Sequence, residues 1–194
     1  SDSEDHTSAY LEWAIPSTGE IVLMGHTWVP QTKVDADNEK IDYRALQQDG
    51  LLTIVDGEYV RKELVFDWFV EQSKKYKIEK IMYDPAKAFG LVEELKGYGF
   101  ECEVVRQGFI TLGPALDDLK ERFLDGNVVF NDNRLFRWYV NNTTLKTDRN
   151  GNHLPTKQNK YRKIDGFAAL LNAHVEVMKK FTAYKGSGEI KFIS

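Results

Sequence analysis

Residues 78 to 106 decide the fold. Ile78-Glu79-Lys80-Ile81-Met82-Tyr83 is a short β-type run that stops at Asp84-Pro85. Residues 88 to 97 follow with helical spacing, closed by Gly97 and Gly99. Phe100-Glu101-Cys102-Glu103-Val104-Val105-Arg106 then returns to an extended pattern. Strand, helix and strand in succession mark an α/β chain.

The flanks agree with that reading. Upstream, Tyr10 to Ile15 and Glu20 to Val29 read as strands of a hairpin around the turn Pro16-Ser17-Thr18-Gly19. Residues 30 to 50 read as a loop with one short helix, Leu51 to Val55 as a strand, and Val60 to Tyr76 as a helix. Downstream, apolar residues at 112, 116, 119, 123 and 124 predict an amphipathic helix, which Asp125-Gly126-Asn127 breaks. Val128 to Phe130 is extended, 134 to 142 helical, and a basic loop follows with its own turn at Asp148-Arg149-Asn150-Gly151. Apolar positions 167, 170, 171, 175, 178 and 181 mark a strong final helix. The order predicts a mixed β-sheet flanked by α-helices. Residues 1–185 form one domain in this reading, and 186–194 a flexible tail.

The 194 residues are 42% hydrophobic and 12% aromatic, enough for one domain with a core and too apolar for a disordered chain. No apolar run is long enough to span a bilayer, and no signal peptide opens the chain, so a soluble intracellular protein is expected. Cys102 is the single cysteine, which excludes an internal disulfide and a thiolate zinc cluster. It falls in a strand and reads as a packed side chain. Net charge is −4, against a generally sticky nucleic-acid binder, yet residues 134 to 163 hold eight Lys or Arg and one acid, Asp148. Such polarisation suits either a working face for a polyanion or a solvated basic loop.

Two carboxylates stand out. Asp84 ends a buried-type strand before a proline, where it can ligate a hard cation or simply start a turn. Asp165 opens the final helix behind Lys146, Arg149, Lys157, Lys160, Arg162 and Lys163. It can cap that helix, or hold a metal against phosphate. Positions 165, 168, 169 and 172 share a face, and Ala168 and Ala169 are small enough to bring Asp165 near Asp84. There is no P-loop and no H-E-x-x-H. His174 reads as a core residue, His153 as a possible phosphate contact, and Trp13, Trp28, Trp68 and Trp138 as core.

Several motifs resemble one family. They are Trp28-Val29-Pro30, Tyr83-Asp84-Pro85, Gln107-Gly108 ahead of the helix from Leu112, Asn141-Asn142, Asp148-x-Asn150-Gly151-Asn152, and Lys163-Ile164-Asp165-Gly166-x-Ala168-Ala169. Together they resemble the C-terminal nuclease domain of tailed-phage large terminases, of the HK97-like group, over residues 1 to about 182. The resemblance implies an RNase H-like (resolvase/integrase-type) fold and a metal-dependent endodeoxyribonuclease. Such an enzyme cuts concatemeric viral DNA with low sequence specificity during genome packaging. It implies two Mg²⁺ or Mn²⁺ ions held by three acids, with Asp84 the second and Asp165 the third. The first acid would lie just before or across Ser1, so the first central strand is expected to be truncated. Asp5 is the further metal-ligand candidate. Lys146, Arg149, Lys157, Lys160, Arg162 and Lys163 are expected to meet DNA phosphates. Double-stranded DNA, portal protein, the small terminase subunit and the ATPase motor of the same polypeptide are the implied partners, in host cytoplasm. The alternative is a catalytically incomplete RNase H-like module that binds DNA or protein.

Overall fold

In the computed structural model, residues 5–88 and 90–186 are described; the predicted tail from 187 on lies outside them. Strands β1 (Thr7–Ile15) and β2 (Glu20–Pro30) form the expected antiparallel hairpin, with Thr7 opposite Trp28 and Ile15 opposite Glu20. Strand β3 (Leu52–Val55) runs parallel to β2 and is reached through two short helices, α1 (Gln31–Ala36) and α2 (Tyr43–Gln48). The sequence suggested one helix there. The second arises because Asp42 caps it, accepting the Ala45 amide at 2.9 Å.

Helix α3 (Lys62–Ser73) leads to β4 (Ile81–Tyr83), and α4 (Leu91–Tyr98) crosses to β5 (Cys102–Val104), which runs parallel to β4. Gly99, at φ 116, closes α4 in the left-handed region, whereas Gly97 lies inside the helix. Helix α5 (Phe109–Leu124) starts three residues earlier than predicted, because the Gly108 carbonyl accepts the Thr111 and Leu112 amides and extends the ladder forward. Strand β6 (Val128–Val129) then adds in parallel to β2. Helix α6 (Arg134–Asn142) is capped by Asn133, which accepts the Phe136 amide at 2.9 Å. The predicted basic loop is a hairpin: β7 (Thr143–Thr147) pairs antiparallel with β8 (His153–Lys157). Asp148 forms its turn by accepting the Asn150 and Asn152 amides. Helix α7 (Asp165–Gly186) ends the fold.

Successive strand residues point to opposite faces, and this alternation separates two cores. From β1, Ala9 and Leu11 enter a cluster with Trp28, Val65, Phe69 and Leu95, while Tyr10 enters the other, with Leu116, Phe136 and Leu170. Strand β4 divides the same way, Ile81 into the first cluster and Met82 into the second. Helices α3 and α4 therefore cover one face, and α5 and α7 the other, of two strand groups that pair separately, β1-β2-β3-β6 and β4-β5. Helix α7 packs across both β1 and β4. Between those strands lies a cleft of about 1230 Å³, lined along β1 from Thr7 to Ala14 and along β4 from Ile81 to Tyr83. Of the four tryptophans expected in the core, Trp28 is fully buried; Trp68 and Trp138 are half-buried against the clusters, and half-buried Trp13 stacks edge-on against Tyr76.

Helix α7 approaches the sheet closely at its first turn. A Cβ on Gly166 would meet the buried ring of Tyr139 at 2.4 Å, and Tyr10 at 3.2 Å. Gly166→Ala is therefore expected to cost about 1–3 kcal/mol, since the ring has no space to yield. Urea unfolding of the variant checks this; an unchanged midpoint would mean that α7 is free to shift.

Candidate functional site

Asp84 leaves the C-terminal end of β4, and its Oδ1 accepts the Ala86 amide at 2.9 Å. Its carbonyl accepts the Lys87 and Ala88 amides, both at 3.1 Å. The Asp-Pro pair thus makes the turn that its sequence permits, and this turn aims Lys87 across the cleft mouth. The Lys87 ammonium donates to Asp165 Oδ1 at 3.1 Å, linking two segments far apart in sequence. Asp165 is the first residue of α7, where its charge also suits the helix N-terminus. Both carboxylates line the same cleft, as do Ala168 and Asn172 from the small-residue face of α7. Partial desolvation of the ammonium opposes its charge although most of the Lys87 side chain is exposed, but Asp165, then Asp84 and Asp5, outweigh it and raise its pKa. The two carboxylates thus line one cleft, and Lys87 from the Asp84 turn reaches Asp165.

Behind them is a buried polar cluster that the sequence did not reveal. His6 Nδ1 pairs with the Tyr139 hydroxyl at 3.0 Å and Nε2 with the Tyr43 hydroxyl at 2.9 Å. Burial holds the imidazole pKa down and pushes both phenols up, so the trio is neutral. Lys163 is 5% exposed, and its ammonium donates to Asp5 Oδ2 at 2.5 Å with Glu39 at 3.9 Å. Lys163, expected at DNA phosphate, is instead turned inward onto Asp5 and Glu39. Burial pushes the Asp5 carboxyl up, but the Lys163 bond and the His6 amide more than offset this and leave it lowered. Asp5 serves that lysine first. Asn142, 2% exposed, donates to the Lys163 carbonyl at 2.9 Å and so fixes the approach to Asp165. Asn142→Ala is expected to cost about 1–3 kcal/mol, because that carbonyl would lose its partner; thermal unfolding measures it, and no change would show that water replaces the amide.

The other five basic candidates face solvent. Lys146, Arg149, Lys157, Lys160 and Arg162 are exposed on the β7–β8 hairpin and the segment after it. Lys160 also lies over the Tyr161 ring at 4.8 Å. His153 is engaged by Asp117 at 3.0 Å, which docks the hairpin on α5 instead of leaving the ring free for phosphate. Cys102 is half-buried against the α3–α4 core and has no cysteine partner, as expected.

Among the described residues, no group of three or more His, Cys, Asp and Glu side chains is placed to hold a metal ion. Two carboxylates at a cleft mouth nonetheless suit Mg²⁺, which usually keeps several waters and takes one or two protein carboxylates plus substrate phosphates. No helix among the described residues is long and apolar enough to cross a membrane.

Mixed strand groups between helix layers, with one carboxylate at a strand end, another at a helix start and a basic hairpin docked on α5, fit an RNase H-like α/β class. The fold matches that of the HK97 bacteriophage large terminase, with a TM-score of 0.79 and 21% identity, over 89% of this chain and 37% of that one. The chain belongs to the family "Terminase large subunit, endonuclease domain", matched over residues 1–180. It is 28% identical over 131 residues to the terminase large subunits of Lactococcus phages SK1 and p2. That alignment takes in 64% of this chain and 24% of each relative, so the chain spans about a quarter of their length.

Proposed function

We propose that this domain is a metal-dependent DNA endonuclease that cuts concatemeric phage DNA during packaging, with little sequence preference. The observation that carries the reading is that Asp84 and Asp165 line one cleft and that Lys87, on the Asp84 turn, pairs with Asp165. These carboxylates would hold Mg²⁺ or Mn²⁺, which supplies an activated water and offsets phosphate charge. The protein's own part is to fix the two donors: the Asp84 turn holds one, and the packed first turn of α7 holds the other.

A two-metal site needs a further oxygen donor. We place it on an extended segment seated in the cleft, parallel to β4 and antiparallel to β1, whose last residues reach Asp84. Strand neighbours lie about 4.8 Å apart, and both facing strands share one pair of helix layers, which supports a strand-like occupant. In the full-length polypeptide this would be the first central strand with the first acid. The reading predicts that plasmid nicking with Mn²⁺ is much faster once residues ahead of Ser1 are supplied. Equal rates with and without them would remove that segment from the site. A non-catalytic binding module is the second reading, favoured by the two-carboxylate set seen among the described residues.

The exposed cations would contact backbone phosphate, so binding should weaken steeply with salt. Removing Lys160 or Arg162 is expected to lower the logarithmic salt slope by about 0.9 each. Lys163→Ala should instead destabilise the fold. Filter binding across a salt series separates these, and an unchanged slope for all exposed variants would move the DNA elsewhere. By the family's implication, the portal, the small terminase subunit and the ATPase motor would be its partners in host cytoplasm.

A further inference from the structure

Asp165 Oδ1, a candidate metal ligand on the reading above, already accepts from a cation of the protein, Lys87. Lys87 reaches it from the turn that begins at Asp84, so both carboxylate segments meet at one ammonium. The Lys87 side chain is 71% exposed, whereas that of Asp165 is 15% exposed. The carboxylate is therefore the fixed partner and the lysine the movable one, on a flexible four-carbon stem. A divalent ion bound at about 2.1 Å from the same oxygen would stand close to the ammonium, and like charges so placed repel.

We propose, on the basis of the metal-nuclease reading above, that Lys87 is the resident counter-ion of the site. It holds Asp165 in the metal-free protein, yields that oxygen to the incoming cation, and then pairs with the DNA phosphate brought to the metal. The exchange keeps Asp165 beside a positive charge throughout. It also weakens metal binding modestly, because each ion must first displace a charge already in place.

The test is Mn²⁺ binding to the 194-residue chain, followed by the loss of the free-ion paramagnetic resonance signal, in wild type, Lys87→Met and Lys87→Arg. Exposed ion pairs are modest, so Lys87→Met should bind Mn²⁺ roughly two- to fivefold more tightly, with Lys87→Arg close to wild type. In the presence of Mn²⁺, the methionine variant should also lose about 0.9 from the logarithmic salt slope of DNA binding. Equal Mn²⁺ affinity in wild type and Lys87→Met overturns the counter-ion role and leaves the nuclease reading intact. Unchanged DNA salt slope overturns the transfer to phosphate. If neither protein binds Mn²⁺, as the 194-residue chain or as a chain extended ahead of Ser1, the inference and the metal reading both fall.

Discussion

Replacing Asp165 with Asn is expected to abolish Mn²⁺-dependent DNA cutting, by about a thousandfold, the equivalent of several kcal/mol of transition-state stabilisation. The substitution keeps the volume of the side chain at the start of α7 and loses only a modest charge–dipole interaction there, so the fold should survive. What it removes is the negative charge that a hard cation requires. Asp84→Asn should have a comparable effect. It would spare the turn, because an amide oxygen can still accept from the Ala86 amide at the 2.9 Å position. Plasmid nicking measured alongside a thermal melt is the experiment. Full cutting in either variant with an unchanged melt would take that carboxylate out of the site. Lost cutting with a melt lowered by many degrees would instead point to a structural role.

The second large effect lies outside the cleft mouth. His174 is fully buried, with Nδ1 2.6 Å from Glu12 and Nε2 2.7 Å from Asp118. Burial opposes its charge, but the hydrogen bonds to Asp118 and Glu12 prevail and raise its pKa to about 9. Asp118, also bound by Arg122, is lowered to about 2 in spite of its own burial. Burial pushes Glu12 up, and one of its oxygens has no hydrogen-bond partner, so this carboxylate depends on the imidazolium. The cluster ties β1 to α5 and α7. His174→Ala would leave Glu12 buried without its cation, at a cost of about 3–5 kcal/mol. For a chain of this size that lowers the melting temperature by about 6 to 20 °C.

The same group sets a pH dependence. The His174 pKa in the folded protein lies above its ordinary 6.5, so its protonated form stabilises the fold. That contribution, about 3 kcal/mol, is complete below pH 6.5 and is lost as pH rises through about 9. Asp118 acts in the opposite sense: its share is present above pH 3.8 and is lost as pH falls through about 2. Melting curves from pH 6 to 10 should therefore decline in the wild type and flatten in His174→Gln. A parallel decline in both proteins would assign the slope to another group.

Much of this arrangement was legible in the sequence because it rests on local rules. The hairpin follows from alternation around Pro16-Ser17-Thr18-Gly19, and the helices from apolar spacing. The exposed basic run needed only counting. Asp84 and Asp165 were recognisable because each ends or begins an element at a point where a carboxylate emerges from apolar neighbours. His174 was legible as a core residue but not as an ion: the apolar face of α7 announces burial, while Glu12 and Asp118 come from β1 and α5.

Lys163 shows the limit most clearly. Beside Arg162 and ahead of a helix, its sequence context matches that of the exposed cations. Only the fold sets it over Asp5 and Glu39 and turns its carbonyl to Asn142. Lys87 and His6 escaped for the same reason, since their partners lie 78 and 133 residues away. By itself the sequence determined most of the elements and their order and singled out the two carboxylates as candidates, because propensity, periodicity and turn chemistry act over a few neighbours. The tertiary structure alone decided which charges pair, which cation turns inward and where the strand-wide cleft opens. Those outcomes depend on which distant segments share a low-dielectric interior, and no local pattern encodes that.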